Sequence, residues 1–281
     1  MLWQRVVTAV VLLLVLLPTL FYPSPVPFCV VALLFIVAGS WEWARLAGVG
    51  PMQALAAAAV AGLACAAAWS AGLLELNLRW LWVAASLVWV VGGAYLLHGG
   101  AGALRAVPRP VRLALGLGLL CVAWLAVAQA RVAGVNYLLS VMALVWVADI
   151  GAYFAGRRWG GRWIARKLAP SISPGKSWEG VVGGMVGVLL LSIIWRWADG
   201  YWQAGTGSAY TQLAASLSWL ALPVLLGLTA MSVAGDLLES LVKRVAGVKD
   251  SSGLLPGHGG VLDRLDALLP TLPLALLFYA W

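Results

Sequence analysis

The sequence contains few charged side chains, which make up only 10% of its 281 residues, whereas 63% of the residues are hydrophobic. A soluble globule of this length needs far more polar surface to cover its core. The scarcity of charge therefore excludes a soluble protein and indicates an integral membrane protein. The net charge is +8, but the cations lie between apolar segments, which favours anionic lipid headgroups over a nucleic acid as partner.

Cysteine is also scarce. Cys29, Cys65 and Cys121 lie in three separate apolar runs, and none has a second cysteine near it in the sequence. This spacing gives no support to a disulfide framework or a thiolate metal site. We interpret all three as small buried hydrophobic residues.

Long apolar runs, by contrast, are abundant. A membrane-spanning helix needs about 20 mostly apolar residues. Nine segments are candidates: 6–22, 26–44, 53–73, 80–97, 113–130, 135–155, 179–195, 214–235 and 267–281. The last one is short and contains Pro270 and Pro273. The predicted fold class is all-α, a polytopic membrane protein with about nine transmembrane helices and one membrane domain over residues 1–281.

The basic residues are distributed unevenly between the two sides of these spans. If the nine segments alternate in direction, all Lys and Arg residues except Arg79, Arg131 and Arg196 fall on one side. The positive-inside rule assigns that side to the cytoplasm. We therefore predict a cytoplasmic N-terminus, an external C-terminus and a polar site in segments 157–178 and 239–266 that faces the cytoplasm.

The densest polar stretch is DLLESLVKRVAGVKDSSGLLPGHGGVLDRLD, residues 236–266. Its first part is helical in pattern, and the i, i+3, i+4, i+7, i+8 spacing places five polar side chains on one face: Asp236, Glu239, Ser240, Lys243 and Arg244. One interpretation is a solvated, salt-bridged helix end. However, Asp236 follows a long apolar run, so it lies near membrane depth and needs a partner such as a cation.

The second part of this stretch is rich in glycine. The amides of such a loop, including Gly259 and Gly260, suit phosphate oxygens, and Lys249 and Arg264 lie beside them. His258 either orients a phosphate or hydrogen-bonds a turn.

Asp263 returns a carboxylate to the membrane surface just before the ninth span. Asp236 and Asp263 are candidate ligands of one Mg²⁺, because Mg²⁺ is usually held by one or two carboxylates together with substrate phosphates.

A second polar patch lies upstream. Asp149 and Tyr153 share a face of the sixth span, and Asp149 is either a third metal ligand or the partner of an arginine. Lys176 and Ser177 precede the seventh span and are candidates for phosphate contacts at a helix N-terminus, as is Glu179. A P-loop is excluded, since the position that requires glycine holds Pro170.

The seventh span carries a stripe of small residues: Gly180, Gly183, Gly184 and Gly187. We interpret this stripe as a seam for tight helix packing. A homodimer through small-residue helices is also compatible with the sequence.

These motifs resemble a known family. The run SLVKRVAGVKDSSGLLPGHGGVLDRLD, Ser240 to Asp266, resembles the signature of the phosphatidate cytidylyltransferases, also called CDP-diacylglycerol synthases. The segments DIGAYFAG (Asp149 to Gly156) and LAPSISPGKSWEG (Leu168 to Gly180) are similar to that family in the same order. Residues 1–130 match only as hydrophobic helices, so we expect a scaffold there and a catalytic half in residues 131–281.

The resemblance implies transfer of a cytidylyl group from CTP to phosphatidate, with release of pyrophosphate, at the bacterial inner membrane. It implies Mg²⁺ on Asp236 and Asp263, with K⁺ as a second cation. The remaining assignments are triphosphate or headgroup contacts for Lys243, Arg244, Lys249 and Arg264, supporting phosphate contacts for Lys176, Ser177 and Ser240, and Asp250 as a partner of Lys249. Of these, Lys243 and Arg264 are expected to act in catalysis beside the two aspartates.

Two other functions deserve comparison. A cation- or proton-coupled transporter would use Asp149 and Asp236 as an ion relay, but transport does not require a glycine-rich loop with cations. Another membrane phospholipid transferase is the nearer alternative, but the patterns DGxxAR…GxxxDxxxD and DDxxD are absent.

Overall fold

Twelve α-helices make up most of residues 2–279, which are the residues described by a computed structural model. They are α1 (Leu2–Phe21), α2 (Val26–Leu46), α3 (Pro51–Ser70), α4 (Arg79–Leu87), α5 (Gly93–Ala106), α6 (Arg109–Ala133), α7 (Val135–Trp159), α8 (Trp178–Tyr201), α9 (Ala209–Leu217), α10 (Ala221–Val245), α11 (Leu262–Leu265) and α12 (Leu268–Leu277). No β-strand occurs within this range. The predicted all-α polytopic membrane fold is confirmed.

Eight helical segments are long and apolar enough to cross a membrane, and they correspond to the first eight predicted spans. Two of the eight are interrupted. A π-helical turn, Val88–Gly92, joins α4 to α5, and a 3-10 turn, Ser218–Leu220, joins α9 to α10. Pro223 lacks the N–H that an uninterrupted helix would need, which accounts for the second break. As a result α10 starts later than predicted and continues through the polar face of residues 236–244.

The predicted ninth span is not a full crossing in the part that the structure describes. Helix α12 has 10 residues, which corresponds to a length of about 15 Å, about half the apolar thickness of a bilayer. Its residues are mostly buried, and it packs against α4, α6 and α10 inside the bundle. Ala280 and Trp281, the end of the predicted span, lie outside the described residues.

Helices α7 and α8 pack closely along the predicted glycine seam. A Cβ added to Gly184 would lie 2.7 Å from the carbonyl oxygen of Ala148, and one added to Gly151 would lie 2.7 Å from that of Gly183. Such distances are shorter than van der Waals contact, so a larger residue would push the helices apart. The interpretation of the stripe as a packing seam is confirmed, and the seam is used within the chain.

Hydrogen bonds between side chains and backbone carbonyls show which loops lie at each end of the bundle. At one end, Arg244 donates to the carbonyl of Ile172, and the indole of Trp43 donates to the carbonyl of Arg112. At the other end, Arg131 donates to the carbonyl of Tyr22. Segments 157–178 and 239–266 therefore meet at the same end, as the alternation of the basic residues predicts.

The structure also brings two cysteines together. Cys65 on α3 and Cys121 on α6 lie close together, although they are 56 positions apart in the sequence, and the Sγ of Cys121 donates to the carbonyl of Ala61 at 3.7 Å. All three cysteines have free thiols. Cys29 and Cys65 are buried, as predicted, and Cys121 is partly buried.

The α7–α8 seam yields a stability prediction. Gly184→Ala should lower the free energy of unfolding by about 1–3 kcal/mol, because overpacking forces backbone shifts. Gly118→Ala on α6 is the matched control, since a Cβ at Gly118 meets no heavy atom within 4 Å. Unfolding in mixed detergent micelles measures both variants, and equal stability of the two would contradict the close packing.

Candidate active site

The loop between α7 and α8 is held by a buried glutamate. One carboxylate oxygen of Glu179 accepts hydrogen bonds from the backbone N–H groups of Gly161, Trp163 and Ile164, each at 3.0 Å. Glu179 is 1% exposed. Its carboxylate thus fixes the basic loop rather than facing a phosphate, which corrects its inclusion among the phosphate candidates.

The end of the same loop caps α8. The hydroxyl of Ser177 accepts a hydrogen bond from the backbone N–H of Gly180, which is an N-cap arrangement. Lys176 precedes the cap, and its Nζ lies 2.5 Å from Oδ2 of Asp236 on α10. The structure therefore joins Lys176 of the first polar segment to Asp236 on α10, 60 positions along the chain.

Lys176 and Asp236 form part of the wall of a cavity of about 380 Å³. Asp149, Tyr153 and Arg157 of α7 form another part of its wall. Arg157 donates to the hydroxyl of Tyr153 at 2.9 Å, and no ion pair between Asp149 and an arginine occurs among the described residues. Asp149 lines the same cavity as Asp236, and its role as a third metal ligand stays a prediction.

The loop between α10 and α11 closes with a tight turn. The N–H of His258 donates to the carbonyl of Leu255 at 2.8 Å, with Pro256 and Gly257 in the central positions. Gly257 has a φ of +78°, which is the conformation that a type II turn requires at this position. The backbone of His258 therefore closes the turn, and a role of its side chain at a phosphate stays a prediction.

The loop between α10 and α11, residues 246–261, is the second polar loop, and Asp263 of α11 binds it. Its Oδ1 accepts from Nζ of Lys243 at 2.6 Å, and its Oδ2 accepts from the amides of Ser251 and Gly260 at 3.0 and 2.7 Å. Lys243 also forms an ion pair with Glu239 one helical turn away. Burial alone would raise the pKa of Asp263, but the hydrogen bonds from Lys243 and from the loop amides lower it to about 2. Asp263 is therefore ionised throughout the physiological range.

Gly259 and Gly260 allow the loop to close around this carboxylate. A Cβ on Gly259, whose φ is +82°, would lie 2.6 Å from Oδ2 of Asp263. A Cβ on Gly260 would lie 2.0 Å from Oγ of Ser251. Both positions thus need glycine for the fold of the loop, and the amide of Gly260 already has Asp263 as its acceptor.

Asp266 is a further acid at the site that sequence reasoning did not single out. Burial and the nearby Asp236 raise the pKa of Asp266 to about 7. Its carboxylate accepts a hydrogen bond from the amide of Ala267. With a pKa near neutral pH, Asp266 is present in both protonated and ionised forms, so it adds only part of a negative charge near Asp236.

The other predicted site residues lie around these two centres. Ser240 donates to Oδ1 of Asp236 at 3.3 Å, and Arg244 is held near the carbonyls of Ile172 and Val248 at 3.5 Å. Lys249 and Asp250 are exposed on the loop surface.

Arg264 borders a second, apolar cavity of about 280 Å³. Its walls come from α1, α2, α6, α7, α12 and the second loop: Leu12, Leu16, Phe28, Ala32, Phe35, Ile36, Ala123, Val127, Met142, Trp146, Leu255, Val261, Leu265, Leu268, Leu269 and Leu272. Arg264 is the one charged residue of this lining among the described residues. Asp263 thus binds Lys243, whereas the neighbouring Arg264 borders the apolar cavity, which we call the apolar groove.

Glu42 on α2 is the functional candidate that sequence reasoning missed. It is fully buried and accepts hydrogen bonds from Ser251, Ser252, Val261 and Leu262 in the second polar loop. A signal was present, since a carboxylate in an apolar segment needs partners. The sequence did not indicate which loop would supply them.

The carboxylates of this site suit a hard divalent cation in their chemistry. Asp236 and Asp263 provide oxygen ligands of the type that Mg²⁺ prefers. No three Asp, Glu, His or Cys side chains within the described range are grouped so that they alone could hold a metal. A metal here would therefore depend on one or two carboxylates and on oxygen atoms from a substrate.

Comparison with known sequences agrees with this arrangement. A sequence model described as "Cytidylyltransferase family" matches residues 3–281. This chain belongs to that family. The match covers both polar loops and also the N-terminal helices, which the sequence motifs alone did not connect to it.

Named relatives narrow the comparison. The chain is 40% identical over 290 aligned positions to "Phosphatidate cytidylyltransferase" of Pseudomonas aeruginosa, covering 100% of this chain and 98% of that protein. Proteins of the same name from Haemophilus influenzae and Brucella suis are 47% and 43% identical, each over 52% of this chain and over 46% and 48% of their own lengths. The similarity to the Pseudomonas aeruginosa protein thus extends along the whole length of this chain.

The ion-pair network yields a stability prediction for this cytidylyltransferase. Lys243→Met should lower the free energy of unfolding by about 3–5 kcal/mol, because it leaves the carboxylates of Glu239 and Asp263 buried without their cation. Lys249→Met, at an exposed position of the loop that follows α10, should change the free energy of unfolding by less than about 0.5 kcal/mol. Denaturation in mixed micelles measures both; a Lys243 variant as stable as the Lys249 variant would show that the network is not stabilising.

Proposed function

We propose that the chain transfers the cytidylyl group of CTP to phosphatidate and forms CDP-diacylglycerol and pyrophosphate. The observation that carries this proposal is that helix α10 pairs with both polar segments, since its Asp236 binds Lys176 and its Lys243 binds Asp263. The full-length similarity to a protein named for this reaction supports the choice of substrates. No observation favours a transporter or another phospholipid transferase.

The residues of the site suit this reaction. A phosphate oxygen of phosphatidate attacks the α-phosphorus of CTP, and the bond from that phosphorus to the bridging oxygen of pyrophosphate breaks. The attacking oxygen is already ionised at neutral pH, so the site needs no strong general base. Lys176 and Arg157 border a cavity of about 380 Å³, where cations would neutralise the triphosphate and the leaving pyrophosphate. The volume lies within the range of small-molecule sites.

Magnesium is part of the proposal. Asp236 and Asp263 would hold Mg²⁺, with Asp149 as a further candidate ligand, and K⁺ is proposed as a second cation. When bound, Mg²⁺ would neutralise charge on the triphosphate. Lys176 and Lys243 already offset the charge of the two aspartates, so cation binding would draw each lysine toward the phosphates.

The apolar groove supports a lipid substrate. Its lining is hydrophobic apart from Arg264, and a diacyl phosphate has the complementary pattern of an acyl chain attached to an anionic head. We propose that an acyl chain of phosphatidate lies in this groove with its phosphate near Arg264. The other predicted site residues remain proposed contacts near the substrates: Ser177, Ser240, Arg244, Lys249, Asp250, His258, Gly259 and Gly260.

The proposed location is the bacterial inner membrane, with the end that carries both polar loops facing the cytoplasm. The basic residues of that end support this orientation, because soluble CTP would enter from the same side. A homodimer is also proposed. Since the α8 glycine seam packs against α7, contacts between copies would use other helix faces.

The carboxylates give the first test of the function. Conversion of radiolabelled CTP and phosphatidate to CDP-diacylglycerol in detergent micelles should require Mg²⁺. Asp236→Asn and Asp263→Asn should each lower kcat by about 100-fold or more, because charge stabilisation at the reacting phosphates is lost. Glu75→Gln, an exposed carboxylate at the opposite end, is the control. A wild-type protein without product under varied cation conditions would refute the proposed reaction.

Arg264 gives the second test. Arg264→Met should raise KM for phosphatidate about 10-fold or more while changing KM for CTP little, because a hydrogen bond to a charged group contributes about 1.5–3 kcal/mol. Arg196→Met, an exposed arginine at the other end of the bundle, is the matched control. An equal rise in both KM values would place Arg264 at the nucleotide instead of the lipid.

A further inference from the structure

Glu42 lies far from the motifs of the C-terminal half, yet it makes the most extensive contact with them from the N-terminal helices. Oε1 accepts from the hydroxyl of Ser252 at 2.5 Å and from the amide of Val261 at 2.9 Å. Oε2 accepts from the amide of Leu262 at 2.7 Å and from the hydroxyl of Ser251 at 3.1 Å. One side chain on α2 thus holds both ends of the second polar loop.

The burial of Glu42 makes these hydrogen bonds necessary. Its side chain is 0% exposed, and it has no ion pair with a Lys or Arg of residues 3–279. A buried carboxylate without a cation is tolerated only when hydrogen bonds satisfy its oxygens. The four donors of the loop supply them, so the position of the loop and the charge of Glu42 depend on each other.

The same hydrogen bonds lead directly to Asp263. Ser251 contributes its amide and its hydroxyl to Oδ2 of Asp263, each at 3.0 Å, and its hydroxyl also reaches Oε2 of Glu42. A hydroxyl has one hydrogen, so Ser251 shares it between the two carboxylates. Gly260 donates its amide to Asp263 and would clash with Glu42 if it carried a Cβ, at 2.4 Å from Oε1.

We propose that Glu42 is a positioning residue for the reaction: it fixes Ser251 and the Gly260–Leu262 segment, and these in turn fix the orientation of the Asp263 carboxylate. The N-terminal half would then contribute to the site instead of serving only as a scaffold. The kinetic part of this proposal rests on the proposed function, whereas its structural part does not.

The test replaces Glu42 and follows two sets of amides by hydrogen–deuterium exchange. Glu42→Gln keeps the shape of the side chain but puts an NH₂ group against N–H and O–H donors. Exchange should rise at Val261 and Leu262, which bond Glu42, and also at Ser251 and Gly260, which bond Asp263. At the same time kcat should fall about 10- to 100-fold, as is typical for groups that orient a ligand. Glu42→Asp, which keeps the charge, should restore part of kcat.

Asp199→Asn is the matched control for loss of a hydrogen-bonded carboxylate. Asp199 accepts from Asn136, from the amide of Ser208 and from the hydroxyl of Thr211 at the opposite end of the bundle. Its substitution should lower thermal stability but leave kcat and the exchange of the second polar loop unchanged. A Glu42 variant that loses stability alone, with kcat and the Ser251 and Gly260 amides unaffected, would overturn the positioning role.

Two serine variants test the proposal if Glu42→Gln does not fold. Ser251→Ala removes the hydroxyl shared with Asp263, whereas Ser252→Ala removes a donor to Glu42 that does not contact Asp263. The proposal expects a lower kcat for Ser251→Ala and a kcat near wild type for Ser252→Ala; equal values would overturn it. If wild-type protein makes no CDP-diacylglycerol, the proposed function fails, and the coupling of exchange between the two sets of amides still decides the structural part.

Discussion

The polar end of this bundle depends on one constraint, the cost of burying carboxylates away from solvent. Each must find a cation or enough hydrogen-bond donors inside the protein. Glu179 finds three backbone amides in the first polar loop, and Glu42 finds two amides and two hydroxyls in the second. The loops are irregular in secondary structure, but these side chains on spanning helices fix their shape.

Helix α10 joins the two loops into one site. Its polar face carries Asp236 and Lys243 two helical turns apart, and these bind Lys176 of the first loop and Asp263 of the second. Helix α10 begins after the 3-10 turn and continues without a break through this polar face. Among the described residues, two ion pairs therefore connect the polar face of α10 with the segments on either side of it.

The sequence was sufficient for what depends on local pattern. Apolar length predicted nine spans, of which eight are confirmed. Helical spacing predicted the polar face of α10, and small residues predicted the α7–α8 seam. Local pattern was insufficient where long-range contacts decide, as for the short α12, which is buried inside the bundle, and for the role of Glu179. Glu42 was missed for the same reason, since its partners lie more than 200 positions away.

The central claim is that helix α10 brings two polar segments that are distant in sequence into one site. Its Asp236 binds Lys176, and its Lys243 binds Asp263. Cross-linking tests it most directly, with Lys176→Cys and Asp236→Cys introduced into a chain whose three native cysteines are replaced, and a short bismaleimide added in detergent micelles. The account predicts an intramolecular link between positions 176 and 236, detected by mass spectrometry, and none between 236 and a cysteine at Arg196. Absence of the first link, or formation of the second, would contradict it.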